Sequence, residues 1–219
     1  QRTMVFAQQL YEGLPLGDGK SEGLITYMRT DSVQVAATAV SEARSYIVET
    51  HGKEFVPEKP RVFTTKTKAA QEAHEAIRPT DVRITPERVA KDLSDEQNKL
   101  YRLIWRRFVA CQMTPAQWDS TAIFIDAEVD GQDLVFKANG RTLVFDGFYK
   151  VVGVPNRGDD AILPPLSEAQ PLAPIDITPK QHFTNPPPRY TEASLQKKLE
   201  QEAIGRPSTY APIIQTIQD

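Results

Sequence analysis

The sequence pattern changes near Thr114-Pro115, and this change constrains the fold more than any other feature. Before it, apolar residues recur at spacings of three and four, which predicts amphipathic helices. After it come β-branched and aromatic runs, at residues 121–129 and 134–138, separated by the turn residues Asp130-Gly131. Because the helices precede the strands instead of alternating with them, the sequence predicts an α+β fold.

Spacing and end signals predict helices throughout the first part. One covers residues 4–11, and a second follows the capping residues Thr30-Asp31-Ser32 and ends at Gly52. A third runs from about residue 68 to residue 77 and is ended by Pro79, because the residue before a proline is pushed out of the helical region. A fourth follows Ser94, which is placed to form a capping box with Gln97. The apolar face of the second is predicted to contain Ala36, Val40, Ala43 and Ile47.

The second part is predicted to form an antiparallel meander. Asp130-Gly131 would make its first turn, and Asn139-Gly140 would lead into a further strand at residues 141–152. Frequent prolines at 155–188 then predict an extended connection, and helices are expected after Thr191 and from Pro207. The chain is therefore divided into a helical domain at 1–118, a β module with its Pro-rich connection at 119–183, and the start of a further helical domain at 184–219.

Charge and composition exclude several classes of protein. With 26 basic and 29 acidic residues the net charge is −3, which argues against a nonspecific DNA-coating protein. Residues 61–107 nevertheless contain eleven Lys and Arg against seven Asp and Glu. The single cysteine, Cys111, excludes a disulfide within the chain, and no apolar stretch is long enough to span a membrane. The opening at Gln1 and the end within a helical pattern predict a piece of a longer protein.

Three blocks of sequence contain the residues best suited to chemistry. The first is Gly-Leu-Ile-Thr-Tyr-Met-Arg-Thr-Asp-Ser at 23–32, and the second is Ala-His-Glu-Ala-Ile-Arg-Pro at 73–79. The third runs from Arg-Tyr-Thr-Glu-Ala-Ser-Leu at 189–195 to Gly-Arg-Pro-Ser-Thr-Tyr-Ala at 205–211. Together, and in this order, they resemble the family of bacterial DNA topoisomerase I, the type IA topoisomerases. Met28 favours this branch, because the related topoisomerase III group typically has proline there.

Tyr27 and Arg29 form the candidate catalytic pair. In an extended segment, side chains two residues apart project to one side, so the tyrosine and the guanidinium would lie together. Attack on a phosphodiester builds negative charge on the nonbridging oxygens, which a fixed guanidinium can stabilise. The resemblance implies that Tyr27 is the nucleophile and that His74 is a further active-site residue. From the sequence alone, either residue is also compatible with a structural role.

Further residues are predicted to bind DNA. Arg78 is placed on a polar stripe of the predicted third helix together with His74. The helix start at 205–209 offers backbone N–H groups, Arg206 and the hydroxyls of Ser208 and Thr209, which suit a phosphate but equally suit a capped turn. Tyr190, beside Arg189, is compatible with stacking on a base or with packing in a core.

The resemblance implies the remaining properties. The helical domain would be similar to a catabolite-activator or winged-helix unit, and the β module would belong to an arch. The full enzyme would relax negatively supercoiled DNA without ATP, acting as a monomer on single-stranded or underwound DNA in the bacterial cytoplasm, at the nucleoid. Its Mg²⁺ site would lie in a Toprim domain outside this chain, so no metal ligands are assigned here.

Two other functions fit parts of the pattern. A noncatalytic single-stranded nucleic-acid-binding module would leave Tyr27 merely buried. A tyrosine recombinase would also use a phosphotyrosine, but its tyrosine comes late in the sequence, whereas here Tyr27 precedes His74 and Arg78.

Overall fold

The computed structural model describes residues 2–17, 19, 21–30, 32–63, 74–155, 162–206 and 208–218. The chain forms two compact units, Gln1–Pro164 and Pro165–Asp219, which are described separately. In the first unit, the helices are α1 (Arg2–Glu12), α2 (Ala37–His51), a 3₁₀ turn (Lys53–Phe55), α3 (Asp95–Cys111) and α4 (Tyr149–Val152). Its strands are β1 (Leu14–Pro15), β2 (Ser21–Glu22), β3 (Gln117–Val129) and β4 (Gln132–Phe145).

Helix α3 supplies much of the core of the first unit. The predicted capping box is confirmed: Ser94 Oγ accepts from the N–H of Gln97, and the Gln97 side chain accepts from the N–H of Ser94. Two buried aromatic side chains also donate hydrogen bonds to a neighbouring loop, Tyr101 to the carbonyl of Ile84 at 2.6 Å and Trp105 to that of Val82 at 2.9 Å. The helix therefore satisfies the polar atoms of its own apolar face and fixes the loop before it.

Helix α2 begins later than its predicted capping residues. Its first helical residue is Ala37, and Ala36 caps it without a side-chain hydrogen bond. Ser32 is buried, and its hydroxyl accepts from the N–H of Gln34 in the preceding segment. The predicted cap is therefore wrong for Thr30 and Ser32, because the helix begins only at Ala37 and Ser32 satisfies a local turn, while Asp31 lies outside the described residues. The predicted end at Gly52 is confirmed by its φ of 114°.

Strands β3 and β4 form one long hairpin, and the predicted meander is wrong. Asp130 and Gly131 both have positive φ, 52° and 75°, as a two-residue turn of type I′ requires. Asn139 and Gly140, however, lie within β4 opposite Ala122 and Thr121. The pair fails to turn because β3 is long enough to pair with all of β4. Residues 149–152, predicted as strand, form α4 instead.

The second unit consists of an extended segment and two helices. Residues 162–190 contain neither helix nor strand, as the prolines predicted. Helix α5 (Glu192–Gln201) begins after Thr191, as expected, with a capping box between Thr191 and Ser194. Helix α6 (Tyr210–Gln218) begins at Tyr210. Residues 208 and 209, which were predicted to belong to this helix, form a turn before it. Pro207, the predicted first residue, lies outside the described residues.

Candidate active site around Tyr27

The segment before Tyr27 is fixed against α1. Leu24 and Ile25 are buried, and the N–H of Leu24 donates to the carbonyl of Leu10 at 2.7 Å. A Cβ atom at Gly23 would lie 2.5 Å from the carbonyl oxygen of Tyr11, so only glycine permits this close approach. The buried pair and the glycine together determine where the chain emerges at Tyr27.

A second segment, residues 76–80, is hydrogen-bonded alongside the first. The N–H of Thr26 donates to the carbonyl of Arg78 at 2.9 Å, and the N–H of Arg78 donates back to Thr26 Oγ1 at 3.0 Å. The Thr26 hydroxyl in turn donates to the carbonyl of Ala76 at 2.8 Å. Because these bonds join residues about fifty positions apart in the sequence, they hold the second motif next to the first.

The predicted third helix lies partly outside the described residues. Residues 68–73 lie outside the described residues, while residues 74–77 are not helical. The prediction is wrong for the latter, because the backbone is engaged elsewhere: the N–H of Ala76 donates to the carbonyl of Gln34 at 2.7 Å. His74 is therefore placed by a paired extended segment instead of by a helix face.

Tyr27 lies half exposed between two rings. Its ring meets that of Tyr11 edge-on at 5.3 Å between centroids, and the His74 ring is 6.3 Å away. The backbone turns here, since the N–H of Arg29 donates to the carbonyl of Tyr27 at 2.9 Å and Met28 packs against the core. The prediction of simple strand alternation is wrong, but Tyr27 and Arg29 still converge, both beside His74.

Arg29 and His74 are in direct contact. Nη1 of Arg29 lies 3.0 Å from Nε2 of His74. A guanidinium has only donors, so Nε2 must accept, which requires a neutral imidazole with its proton on Nδ1. This contact orients the guanidinium next to the exposed phenol, where a cation can meet a phosphate.

Glu75 and Arg78 form an ion pair that sequence reasoning did not single out. Glu75 Oε1 accepts from Arg78 Nε and from the N–H of Ala36, both at 2.7 Å. Partial burial raises the pKa of Glu75, but the bonds from Arg78 and Ala36 and the charge of Arg78 outweigh it and lower that pKa below 4.5. The spacing of three between the two residues was the available signal.

The guanidinium of Arg78 is largely committed within the protein. Its side chain is 13% exposed, and Nη1 donates to the carbonyl of Pro79 at 2.8 Å. This geometry favours a role in holding the segment that carries His74. DNA contact by Arg78 stays a prediction.

The other predicted DNA-binding residues belong to the second unit. Thr209 Oγ1 accepts from the N–H of Arg206 at 2.8 Å, so its hydroxyl helps to close the turn before α6. Ser208 and Arg189 are exposed, and the Tyr190 ring is 64% exposed, which makes packing in the core of this unit the weaker interpretation. DNA binding by these five residues stays a prediction.

Two kinds of feature are absent from the described residues. Within them, no group of three or more His, Cys, Asp or Glu side chains could hold a metal ion. No helix among the same residues is long and apolar enough to cross a membrane. The functional groups that the site brings together are the phenol of Tyr27, the guanidinium of Arg29 and the imidazole of His74.

Comparison with known proteins identifies the family. The family model described as DNA topoisomerase matches residues 1–219. The chain belongs to the DNA topoisomerase family. It is 47% identical to DNA topoisomerase 1 of Rickettsia felis and 48% identical to that of Vibrio cholerae, each over 100% of this chain. The corresponding enzyme of Campylobacter jejuni is 50% identical over 98% of it.

A solved structure supports the same assignment for the fold of this topoisomerase chain. Full-length topoisomerase I from Thermotoga maritima is similar with a TM-score of 0.75 and 41% identity, over 98% of this chain. The mixed helical and β architecture is thus similar to that of this topoisomerase I. The chain spans only 33% of that protein, and 28% of the Rickettsia felis enzyme.

Proposed function

We propose that this chain carries the nucleophile of a type IA DNA topoisomerase, with Tyr27 forming a 5′-phosphotyrosine on one cut strand. The observation that carries the proposal is the convergence of Tyr27, Arg29 and His74 from two separated motifs. Family membership supports it, since the similar relatives are named DNA topoisomerases. The half exposure of Tyr27 also supports it, because a purely structural tyrosine would gain from deeper burial.

The proposed reaction exchanges one phosphate ester for another. Tyr27 Oη attacks phosphorus, its proton leaves, and the bond from phosphorus to the 3′ oxygen of the neighbouring nucleotide breaks as that oxygen gains a proton. After strand passage the 3′ hydroxyl attacks the phosphotyrosine and restores both original groups. No ATP is needed, because the covalent bond conserves the energy of the phosphodiester.

The residues beside Tyr27 have distinct proposed tasks. Arg29 stabilises the negative charge that develops on the nonbridging oxygens during attack. His74 accepts a hydrogen bond from Arg29 and holds the guanidinium toward the phosphate. A Toprim domain outside this chain would stabilise the leaving oxygen and hold the Mg²⁺ site.

The finer properties are part of the same proposal. The helical region would be a catabolite-activator-like or winged-helix unit, and the β3–β4 hairpin would belong to the arch. Arg189, Tyr190, Arg206, Ser208 and Thr209 would contact single-stranded or underwound DNA. The enzyme would act as a monomer in the bacterial cytoplasm, at the nucleoid.

Covalent trapping in the intact enzyme tests the proposal. A labelled single strand is incubated with Mg²⁺, denatured and separated on a gel that resolves protein–DNA adducts. Tyr27→Phe should give no adduct while binding the strand as before, because only the nucleophilic oxygen is lost. Tyr11→Phe is the matched control, since Tyr11 is also a partly exposed tyrosine and its ring touches Tyr27.

Each alternative predicts a different result. If the adduct still forms in Tyr27→Phe, Tyr27 is not the nucleophile. If the strand binds but no variant forms an adduct, the chain is a noncatalytic binding module. An adduct at the 3′ end would instead point to recombinase-like chemistry.

A further inference from the structure

A basic groove lies along the outer face of α3, on residues that the Tyr27 site does not use. Its volume is ≈ 600 Å³, and it is bounded by α3, α4 and the segment that begins at Arg61. One stripe of the helix provides Lys99, Arg102, Arg106 and Arg107, at the spacings of three, four and eight that share a helix face. The groove thus concentrates five cations, counting Arg61, in a chain whose net charge is −3.

The far wall of the groove is fixed to the end of α3. Gln112 is fully buried, and its amide accepts from the N–H of Arg61 at 3.1 Å and donates to the carbonyl of Arg61 at 2.9 Å. Both backbone groups of Arg61 are therefore held by one side chain. The backbone of Arg61 is therefore held in the groove wall before any ligand binds.

Among the described residues, most of these cations have no carboxylate partner in an ion pair. Arg102 is 3.5 Å from Glu87, at the margin of an ion pair. For Lys99, Arg106 and Arg107 no carboxylate within the described ranges forms an ion pair. Like charges along one helix face repel one another, so an anionic ligand would relieve a standing electrostatic cost.

Apolar side chains are interspersed among the cations. Leu103 is 67% exposed and Phe63 is 39% exposed, and both line the groove. A site for free phosphate has no use for an exposed ring, whereas bases of a single strand stack on aromatic faces while cations bind its backbone. The combination of cations and an exposed ring favours a nucleic-acid strand over an acidic peptide.

The dimensions agree with a short strand. Lys99 and Arg106 are seven residues apart on α3, which corresponds to roughly 10 Å along the axis at about 1.5 Å per residue. One strand of a duplex rises by about 3.4 Å per nucleotide, so the stripe spans about three nucleotides.

We propose that this groove is a second binding site for single-stranded nucleic acid. Phosphates contact Lys99, Arg106 and Arg107, and a base stacks on Phe63. The site goes beyond the proposed cleavage function, because it binds without Tyr27 and forms no covalent bond.

Fluorescence anisotropy on the purified 219-residue chain tests this site, with a labelled oligonucleotide titrated at several salt concentrations. In Arg106→Ala/Arg107→Ala, affinity at low salt should fall at least fivefold. The slope of log K against log[salt] should fall by about 1.4, at about 0.7 per lost phosphate contact on a single strand. The control Lys53→Ala/Lys91→Ala removes the same charge from exposed positions that do not line the groove, and it should keep the wild-type slope.

Two further variants keep the test decisive if the double variant unfolds. Lys99→Glu changes an exposed side chain and should weaken binding similarly. Phe63→Ala should lower affinity for a normal strand more than for an abasic strand of the same charge. Wild-type affinity and slope in folded groove variants would overturn the proposal and leave an acidic protein segment as the better ligand. Tyr27→Phe should not alter these results, so the groove and the cleavage site can fail independently.

Discussion

Nη1 of Arg29 lies 3.0 Å from Nε2 of His74, although 45 positions of sequence separate the two residues. The contact makes the imidazole an acceptor and holds a permanently charged guanidinium against the ring that neighbours Tyr27. A cation so fixed costs no reorganisation when a phosphate arrives, which is the property that transition-state stabilisation requires. The relationship also gives His74 a task that does not need it to transfer a proton.

Substitutions at this pair should affect cleavage more than folding. In the intact enzyme, Arg29→Ala should reduce the single-turnover cleavage rate by about 100-fold or more, and Arg29→Lys by less, since removing one donor that stabilises a developing oxyanion costs ~2.7 kcal/mol or more. His74→Ala should lower the rate in wild type but have little further effect in Arg29→Ala, because it acts through Arg29. Additive losses in the double variant, or equal losses of thermal stability in both arginine variants, would indicate independent or structural roles.

The ion pair of Glu75 and Arg78 should be visible in the pH dependence of stability. The pKa of Glu75 is lowered in the folded state, so the folded state binds its proton less readily than the unfolded state. The ion pair therefore contributes its full stabilisation above about pH 4.5. This stabilisation is lost as the pH falls through the lower pKa that Glu75 has in the folded state. Glu75→Gln should cost about 1–2 kcal/mol at pH 7.

Urea denaturation of wild type and Glu75→Gln between pH 3 and 7 checks this sign. The difference in unfolding free energy should shrink on the acid side. A difference that stays constant over this range would mean that the carboxylate charge is not what holds the segment. Glu58→Gln, at an exposed position, is the control.

Gln112 should be a sensitive position for stability. Gln112→Leu fills a similar volume with an apolar side chain but removes the amide. Both backbone groups of Arg61 then lose their partner, at a cost of about 2–4 kcal/mol in the free energy of unfolding. Chemical denaturation measures the loss, and Gln8→Leu, on the exposed side of α1, provides the comparison. Similar small effects in the two variants would show that water replaces the amide at Arg61.

Thr209 offers a test within the second unit. Thr209→Ala removes the oxygen that accepts from the N–H of Arg206, and it should weaken single-strand binding or cleavage without unfolding the protein. Thr209→Ser retains the oxygen and should restore most of the loss. Wild-type binding and cleavage in the alanine variant would remove Thr209 from the proposed interface.

The 219-residue chain alone should not relax supercoiled plasmid, even with Mg²⁺. The phenol and the guanidinium are present, but no described cluster of acidic residues could hold the metal, and cleavage also requires the leaving oxygen to be neutralised. A plasmid relaxation assay beside a Tyr27→Phe control measures this. Relaxation that disappears in that control would show that the chain is catalytically self-sufficient.

Local sequence patterns correctly predicted the features that interactions between neighbouring residues decide. The capping box at Ser94, the end of α2 at Gly52 and the turn at Asp130-Gly131 all depend on residues within a few positions of one another. The three motifs likewise indicated the family, which the whole-chain match confirms. These features could be predicted because neighbouring side chains and backbone groups decide them.

Local patterns misled where a distant partner decided the outcome. Asn139-Gly140 resembles a turn, yet β3 pairs across it, and the residues around His74 match a helix face but are bonded to Thr26 and Gln34. In each case hydrogen bonds to remote backbone replaced those that the local structure would have made. Propensity is a weak preference, and tertiary context overrides it.

By itself, then, the sequence determined the class of fold, the family and the candidate nucleophile Tyr27. Only the tertiary structure decided that Arg29 meets His74 and that Gln112 fixes Arg61 beside the cations of α3. These pairings join residues whose contact depends on how the chain folds back on itself, and no spacing along the sequence specifies that distance. The contacts form because the buried core around Leu24, Ile25 and α3 brings these segments together.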